Sequence, residues 1–189
     1  MIALVRHGQT AKNRDGLLQG RIDAPLTETG ELQAAQLGVA FAEQPVARVV
    51  ASPLLRAQAT AAPIAAAHGL QVESDERLVE LDYGEWDERG LGDISPDEWA
   101  QWRADSEFAP PGGESLVAVA KRMEQFLAAT DDEGLVVAVS HVSPIKAAVC
   151  LALGVDQLAT WRMHLDLASV TRIGRRGRAL YLASFNETA

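Results

Sequence analysis

The sequence predicts an α/β fold with three layers, α/β/α, built around a mostly parallel sheet. Short apolar runs alternate with longer amphipathic stretches along the 189 residues, which is the order of elements in repeated strand–helix units. Residues 2–5 and 135–139 are apolar at every position, as in strands that are covered on both faces. Two strand-like segments near the end of the chain flank Gly-Arg-Arg-Gly. They predict a hairpin that adds an antiparallel edge strand.

The length is that of one domain with an insertion, because a domain contains about 150 residues on average. We therefore expect residues 1–189 to form a single domain. Residues 75–114 differ from the rest, since they are acidic, contain three tryptophans and end in Pro-Pro-Gly-Gly just before Glu114. We interpret residues 75–114 as a small cap that leaves the sheet. Its tryptophans predict either a small core beneath the cap or a wall of a binding pocket.

The first half of the chain predicts alternating strands and helices. Thr27 is a good N-cap, because its hydroxyl can accept a bond from a first-turn amide. Ser52 and Pro53 have the types expected at an N-cap and at the first helical position. We expect strands at residues 2–5, 47–51 and 70–74, and helices from Thr27 to about residue 42 and from Ser52 to about Gly69.

The second half continues this alternation. Helical spacing of apolar residues returns after Ser115, and Pro144 has the type expected at the first position of a further helix. The strands on either side of Gly-Arg-Arg-Gly complete the pattern. We expect helices at residues 96–104, after Ser115, from Pro144 and at 156–163, and strands at 135–139, 167–173 and 179–185.

Charge and composition exclude several classes of partner. The chain contains 17 Lys and Arg against 26 Asp and Glu, a net charge of −9, whereas non-specific nucleic-acid binding needs a basic surface. No apolar run approaches the roughly 20 residues of a membrane span, and no signal peptide is visible at the N-terminus. The single cysteine, Cys150, excludes an internal disulfide and suits a reducing compartment. We therefore expect a cytoplasmic protein that binds neither nucleic acid nor membrane.

Arginine and histidine side chains follow three of the predicted strands, at the point where each strand ends. Arg6 and His7 follow the first strand, Arg56 lies in the first turn of the helix after the second, and His141 follows the strand at 135–139. In an open α/β sheet, ligands bind beyond the carboxyl ends of the strands. Guanidinium groups and helix N-termini match the oxygens of a phosphate. The sequence therefore predicts a phosphate-like anion site at this edge.

Purely structural roles, a metal site and a serine nucleophile all fit these residues less well. A single His at a strand end is usually a hydrogen-bonded structural residue, and a single Arg usually forms a surface ion pair, but here four such residues coincide. The spacings His-x-x-x-His and Cys-x-x-Cys, typical of metal sites, are absent, and neighbouring arginines would repel a divalent cation. No Gly-x-Ser-x-Gly turn indicates a serine hydrolase. We expect no metal and no cofactor.

Five short motifs occur along the chain in a fixed order. They are Arg6-His7-Gly8-Gln9-Thr10 with Asn13, Ser52-Pro53-Leu54-Leu55-Arg56-Ala57, Glu80-Leu81-Asp82-Tyr83-Gly84-Glu85-Trp86, Pro111-Gly112-Gly113-Glu114-Ser115 and Ser140-His141. This series resembles that of the histidine phosphatase superfamily, also called the phosphoglycerate mutase-like family, and in particular its phosphatase branch. The resemblance covers nearly the whole chain. Gln9 is a departure, because many members have Glu there; we expect it near the phosphate, where it would alter substrate preference.

The resemblance implies roles for particular residues. His7 would be the nucleophile that becomes a phosphohistidine, and Glu80 would donate a proton to the leaving oxygen. Spacing alone does not select Glu80 among its acidic neighbours. The remaining residues that the resemblance places at the phosphate are Arg6, Arg56, His141, Asn13, Gln19, Gly20 and Val142.

The activity implied by this resemblance is metal-independent hydrolysis of a small phosphorylated metabolite through a phosphohistidine. Two alternatives stay open: a cofactor-dependent phosphoglycerate mutase and a non-catalytic phosphate-binding module. A mutase usually has a longer chain and a lid with additional basic residues, whereas the cap contains only Arg77, Arg89 and Arg103 among many acids. This composition favours hydrolysis. The predicted edge strands and hairpin leave a homodimer open.

Overall fold

The computed structural model describes residues 1–130 and 134–188 and contains a six-stranded mixed sheet. Its strands are β1 (Ile2–Arg6), β2 (Val46–Ala51), β3 (Val72–Ser74), β4 (Leu135–Ser140), β5 (Val170–Arg176) and β6 (Ala179–Glu187). Their order across the sheet is β3-β2-β4-β1-β5-β6. The strands β3, β2, β4 and β1 run parallel to one another, and β5 is antiparallel to both of its neighbours, β1 and β6. The predicted α/β class is confirmed, with the antiparallel strand one position in from the edge.

Register within the sheet brings the ends of three strands together. Arg6 at the end of β1 is paired with Ser140 at the end of β4. His7 and His141, the next residues, therefore leave the sheet side by side. Ala51 at the end of β2 is paired with Val139, so the chain after β2 leaves at the same edge.

Within the described residues, six α-helices connect and cover the strands. They are α1 (Ala11–Arg14), α2 (Glu28–Phe41), α3 (Leu55–Ala67), α4 (Pro96–Ala104), α5 (Leu116–Ala129) and α6 (Val142–Leu153). Thr27 caps α2 as predicted, because its side chain accepts a bond from the amide of Gly30. Within the residues that the structure describes, no helix has both the length and the apolar character needed to cross a bilayer.

Alternate residues of the central strands face two different cores. In β1, Ala3 and Val5 pack on one face against α2 and α3, together with Leu37 and Ile64. Ile2 and Leu4 pack on the other face, in the core that includes side chains of α5, α6 and the cap. The central strands are thus covered on both faces, which explains why their sequences are apolar at every position.

Both helix starts that were predicted from proline are wrong in detail. The helix after β2 begins at Leu55 instead of Pro53, and its N-cap, Leu54, has no side-chain hydrogen bond. The side chain of Ser52 instead faces His141, with Oγ 2.9 Å from Nε2. The helix after β4 begins at Val142, which places Pro144 at its third position.

Three smaller expectations also differ. Residues 156–163 contain a 3₁₀ helix, Gln157–Arg162, in place of an α-helix. The hairpin turn lies at residues 177–178, because β5 continues to Arg176 through the first three residues of Gly-Arg-Arg-Gly. The short helix α1 was not predicted; a capping box between Thr10 and Asn13 stabilises it.

The segment at residues 75–114 packs over the sheet through an aromatic cluster. Trp86 and Trp102 are 1% and 3% exposed, with their ring centroids 5.3 Å apart. Trp161, from outside the segment, packs edge-on against Trp102 at 4.7 Å. Trp99 stacks on Trp102. The tryptophans therefore form a small core, which was the first of the two expectations for the cap.

Candidate active site

A pocket of about 470 Å³ lies beyond the carboxyl ends of β1 and β4. His141 does not line it, but the His141 ring is directly behind that of His7, with the ring centroids 5.0 Å apart. The other residues that the resemblance indicated are all on the pocket wall: Arg6, His7, Asn13, Gln19, Gly20, Arg56, Glu80 and Val142. The structure thus brings together at one site side chains that are far apart in sequence.

His7 is held as a neutral imidazole with one nitrogen free. Its Nδ1 lies 2.7 Å from the carbonyl oxygen of Gly8. A carbonyl only accepts, so Nδ1 carries the proton and Nε2 keeps its lone pair. Burial, followed by the charges of Arg56 and Arg6, lowers the pKa of His7 well below its ordinary 6.5, against the opposing effect of the Gly8 bond. The ring is therefore uncharged at neutral pH, with its proton on Nδ1 and a lone pair on Nε2.

Arg56 is fixed by three partners although it is only 1% exposed. Its Nη1 and Nη2 donate to the carbonyls of Ile22 (2.8 Å) and Gly20 (2.7 Å). Its Nε donates to Nδ1 of His141 at 3.2 Å. A guanidinium has five N–H donors, so these bonds leave donors for an anion in the pocket. Arg56 thus lies on the pocket wall, and the loop before α2 orients it.

His141 is fully buried, and both of its ring nitrogens have partners. Because the guanidinium of Arg56 can only donate, Nδ1 of His141 accepts, and Nε2 carries the proton toward Oγ of Ser52. Burial, and then the charge of Arg56, lowers the pKa of His141 well below 6.5. In this state His141 positions Arg56 and packs against His7, and its N–H group reaches Ser52.

Two buried donors on the pocket wall have no hydrogen-bond acceptor within the described ranges. They are Nε of Arg6 and Nε2 of Gln19. Their neighbouring atoms are fixed: Nη1 of Arg6 donates to the carbonyl of Leu165 (2.5 Å), and Oε1 of Gln19 accepts from Thr10 (2.6 Å). Buried donors are rarely left without a partner. The arrangement is therefore suited to a ligand that supplies acceptor oxygens.

Asn13 contributes through its amide nitrogen. Its Oδ1 accepts from the backbone amide of Thr10 in the capping box of α1. The oxygen is therefore occupied, and Nδ2 is the group that can donate to an anion. The short helix α1 therefore holds the side-chain amide of Asn13 at the pocket wall.

Glu80 connects the cap segment to α6. Its Oε2 accepts from the amide of Val142 (3.1 Å), and its Oε1 accepts from those of Ser143 (3.1 Å) and Leu81 (2.7 Å). A carboxylate at a helix N-terminus is favoured by the free amides and by the helix dipole. These bonds hold the carboxyl group at the pocket wall, 6% exposed.

The chain belongs to the histidine phosphatase superfamily. The model of that superfamily's branch 1 matches residues 2–188. Bifunctional protein Rv2228c of Mycobacterium tuberculosis is 36% identical over 177 residues, which cover 90% of this chain and 49% of that protein. The chain therefore spans about half the length of this relative.

Two further relatives match over nearly their full length. Phosphoserine phosphatase 1 of Hydrogenobacter thermophilus is 33% identical over 196 residues, covering 99% of this chain and 92% of that protein. The solved structure of a mycobacterial glucosyl-3-phosphoglycerate phosphatase, Rv2419c, in complex with VO3 has a TM-score of 0.90 at 29% identity. That match covers 99% of each chain. Relatives of this member of the superfamily thus include named phosphatases.

Two of the predicted phosphate-binding residues have other partners in this superfamily member. The amide of Val142 already donates to Glu80. The carbonyl of Gly20 accepts from Arg56, and a Cβ at Gly20 would lie 2.2 Å from Oδ1 of Asp87. Both residues line the pocket, so they contribute to its shape and hold the groups that face the ligand.

Gln9 is not where the family pattern suggested. Its side-chain oxygen accepts from the hydroxyl of Thr27 (3.0 Å), the N-cap of α2, and it lies outside the pocket wall. The expected effect of Gln9 on substrate preference therefore has no structural basis at that position. Its carbonyl also accepts from the amide of Thr27 (2.8 Å), so Gln9 anchors the start of α2.

Part of the pocket wall was not predicted from sequence. It consists of apolar residues at Leu17, Leu18 and Leu91 and of the loop at residues 164–167. His164 in this loop is solvent-exposed, and its Nε2 lies 2.9 Å from Oδ1 of Asp166. No local signal marks this loop, because its link to the site is the carbonyl of Leu165, which any residue could supply. Glu114, a member of the fourth sequence motif, lies outside the pocket wall and forms ion pairs with Arg122 and Arg21.

Across the described ranges, no group of three or more His, Cys, Asp or Glu side chains has an arrangement that could hold a metal ion. Positive charge at the pocket comes from the side chains of Arg6 and Arg56. This arrangement can bind a tetrahedral oxyanion, present a neutral imidazole to it and hold a carboxyl group alongside.

Proposed function

We propose that this protein is a phosphomonoester hydrolase that acts on a small phosphorylated metabolite through a phosphohistidine at His7. The observation that carries the proposal is the bond from Nδ1 of His7 to the Gly8 carbonyl, which leaves Nε2 as a lone-pair donor in a pocket with Arg6 and Arg56. Membership of the histidine phosphatase superfamily and the named phosphatases among its relatives support the same activity.

In the first step, Nε2 of His7 attacks phosphorus, and the bond from phosphorus to the leaving oxygen breaks. Glu80 in its acid form gives that oxygen a proton, and the product alcohol departs. In the second step, Glu80 as a carboxylate takes a proton from water, whose oxygen attacks the phosphohistidine. The N–P bond then breaks, inorganic phosphate leaves, and both His7 and Glu80 return to their initial states.

The arginines stabilise charge on the transferring group. Phosphoryl transfer depends mainly on positioning and on cationic groups around the equatorial oxygens. Arg6 and Arg56 supply that charge, and donors such as Nε2 of Gln19 and Nδ2 of Asn13 add hydrogen bonds. Since these groups are held by the protein before substrate arrives, little reorganisation is needed in the transition state. We expect a chelator to leave the activity intact.

We also propose that residues 75–114 form a cap on a single domain. Glu80, Tyr83 and Leu91 come from this segment and line the pocket. The cap would therefore supply the proton donor and the surroundings of the leaving group, while the strand ends supply the phosphate site.

Location and assembly are further proposals. The buried, unpaired thiol of Cys150 suits a reducing cytoplasm. β6 leaves one edge of the described sheet without a neighbouring strand, which is compatible with a homodimer. Sedimentation analysis would distinguish a dimer from a monomer.

The deciding experiment is to trap the intermediate. Rapid quenching of a reaction with p-nitrophenyl phosphate should yield an acid-labile phosphoryl group, located on His7 by mass spectrometry. His7→Ala should have neither this label nor turnover. Near-normal hydrolysis by His7→Ala would refute the nucleophile assignment, and inhibition by a chelator would indicate a metal-dependent reaction.

The same preparation separates the alternatives. A hydrolase releases inorganic phosphate, whereas a mutase isomerises 3-phosphoglycerate and a binding module does neither. We expect phosphate release to be much faster than isomerisation. Faster isomerisation would assign the protein to the mutases, and phosphate binding without label or release would indicate a module that has lost catalysis.

A further inference from the structure

A second, smaller cavity adjoins the active-site pocket on the side of α6. It has a volume of about 70 Å³ and shares Tyr83 and Val142 with the larger pocket. Its wall also includes Lys146 of α6 and the indole rings of Trp102 and Trp161. The mechanism above uses none of these last three side chains. Because Tyr83 and Val142 line both cavities, the smaller cavity lies directly beside the active-site pocket.

Three donors at this cavity lack an acceptor among the residues described. The Nε1 atoms of Trp102 and Trp161 are buried and have no hydrogen-bond partner. Trp102 is itself only 3% exposed. An indole N–H and an ammonium can donate but cannot accept. The unsatisfied groups are therefore all donors, which calls for an acceptor-rich ligand.

Lys146 is partly buried and forms no ion pair in the described structure. Burial lowers its pKa, the charge of Arg6 adds to this, and Glu80 opposes it. The oxygens of Glu80 are already occupied by backbone amides of Leu81, Val142 and Ser143. A partly buried ammonium without a bonded counter-ion is costly. An anion in the cavity would remove that cost and give both indoles an acceptor.

We propose that this cavity binds a carboxylate on the leaving-group side of the substrate, with Lys146 as its charge partner and the indole N–H groups of Trp102 and Trp161 as further donors. This inference rests on the proposed hydrolase and names its substrate class as phosphorylated carboxylic acids. A water molecule occupies about 30 Å³ of liquid volume, so a cavity of this size accommodates a carboxylate group. The apolar faces of the indoles would hold the carbon atoms that join it to the phosphate.

Matched substrates test the proposal directly. O-Phosphoserine and phosphoethanolamine differ only in the carboxylate, and 3-phosphoglycerate and glycerol 3-phosphate form a second pair. We expect wild-type protein to have a higher kcat/KM for the acid in at least one pair. Lys146→Met, which keeps the length of the side chain, should lower kcat/KM for that acid by roughly 10–100-fold, as for a lost hydrogen bond to a charged group. The preference within the pair should then disappear.

Two further variants separate this role from a structural one. Lys121→Met removes an exposed lysine of α5, so it matches the change in net charge and should leave the preference intact. Trp161→Phe keeps an aromatic ring but removes the N–H, and should reduce the preference about three- to tenfold. Lys146→Arg, which keeps the charge, should retain more of the preference than Lys146→Met. Equal effects of Lys146→Met and Lys121→Met would overturn the proposal.

Calorimetry keeps the two proposals distinguishable. In the His7→Ala protein, which should not turn over, O-phosphoserine should bind at least tenfold more tightly than phosphoethanolamine, and Lys146→Met should remove the difference. If wild-type protein fails to hydrolyse even p-nitrophenyl phosphate, the proposed function is wrong, and this titration still decides the carboxylate site. In both pairs, equal binding of the acid and of its analogue without a carboxylate would show that the cavity holds only water.

Discussion

The two sides of the pocket are built in different ways. Its floor, formed by Arg6, His7 and Arg56 and backed by His141, is fixed by sheet register and by short bonds to backbone carbonyls. The cap at residues 75–114 is held by aromatic packing, by ion pairs such as that of Glu114 with Arg122, and by the bonds of Glu80 to α6. Polar contacts with defined distances tolerate little displacement, whereas packed rings tolerate more. The floor therefore specifies the chemistry, and the cap is the region where substrate preference can change.

The largest difference between the two regions should appear on conservative replacement of an arginine. Arg56→Lys places one ammonium where a guanidinium now meets two carbonyls and His141, and these geometries are not interchangeable. We expect kcat/KM for p-nitrophenyl phosphate to fall roughly 1,000-fold. In the cap, Arg103 lies over the rings of Trp99 and Trp161, at 5.0 and 5.9 Å, and does not line the active-site pocket, so Arg103→Lys should change the rate less than about threefold. Similar losses in both variants would contradict the comparison.

Glu80 lies within the cap segment of the sequence, but its carboxyl group lies at the active-site pocket. Glu80→Gln should slow alkyl phosphates about 100-fold, because their leaving oxygen needs a proton. It should slow p-nitrophenyl phosphate far less, since that leaving group is a weak base. The amide nitrogen of Gln cannot accept from Val142 or Ser143, so the variant will also be less stable. Only the ratio of the two rates, which is independent of the folded fraction, measures the acid role; equal losses would remove Glu80 from it.

The two histidines of this region, His7 and His141, should remain uncharged over an unusually wide pH range. The pKa values of His7 and His141 are both lowered well below 6.5 by burial and by Arg56. Their ring signals in NMR spectra should therefore stay unchanged between pH 8 and 6.5. Below about pH 6.5 the unfolded chain takes up protons on these histidines while the folded protein does not. The free energy of unfolding should consequently decrease as the pH falls, and titration of either ring above pH 6.5 would be inconsistent with this floor.

A smaller effect is expected from an acid within the cap. Burial, and then the charge of Asp82, raises the pKa of Asp87 to about 6. An acid whose pKa is raised by folding favours the folded state below the unfolded value near 3.9 and loses that contribution as the pH rises to about 6. Asp87→Asn should therefore raise Tm by about 2–4 °C at pH 7.5, corresponding to about 1 kcal/mol once solvent screening is allowed for. At pH 3.5, where both side chains are largely neutral, the two proteins should melt together.

Most of the fold follows from local patterns in the sequence. The short helix expected at residues 96–104 is α4, and it follows the rule of a Ser N-cap before a Pro at the first position, because Ser95 accepts from the amide of Glu98. The same rule failed at Ser52, because its hydroxyl faces His141 across the fold. A side chain that has a distant partner does not cap its own helix, and nothing in the local sequence reveals that partner.

The site was predicted for the same reason that the floor is rigid. Strand ends place Arg6, His7 and His141 together by topology, so a sheet rule was sufficient to group them. Glu80 could not be separated from neighbouring acids by spacing, because its distinguishing feature is the N-terminus of α6, contacted across 62 residues. The loop that holds Arg6 does so through the Leu165 carbonyl. Backbone acceptors are the same in every residue, so residue types alone do not indicate them.

The bonds from Arg56 to the carbonyls of Gly20 and Ile22 have a consequence for protein engineering. Because of these bonds, the anion site is formed by α3 together with a loop that lies more than thirty residues before α3 in the sequence. A scaffold that received only the Arg-His-Gly strand and the helix would carry the charges without their orientation, and would discriminate poorly between phosphate and other anions. Transplanting this chemistry therefore requires the loop as a third piece, chosen for the path of its main chain.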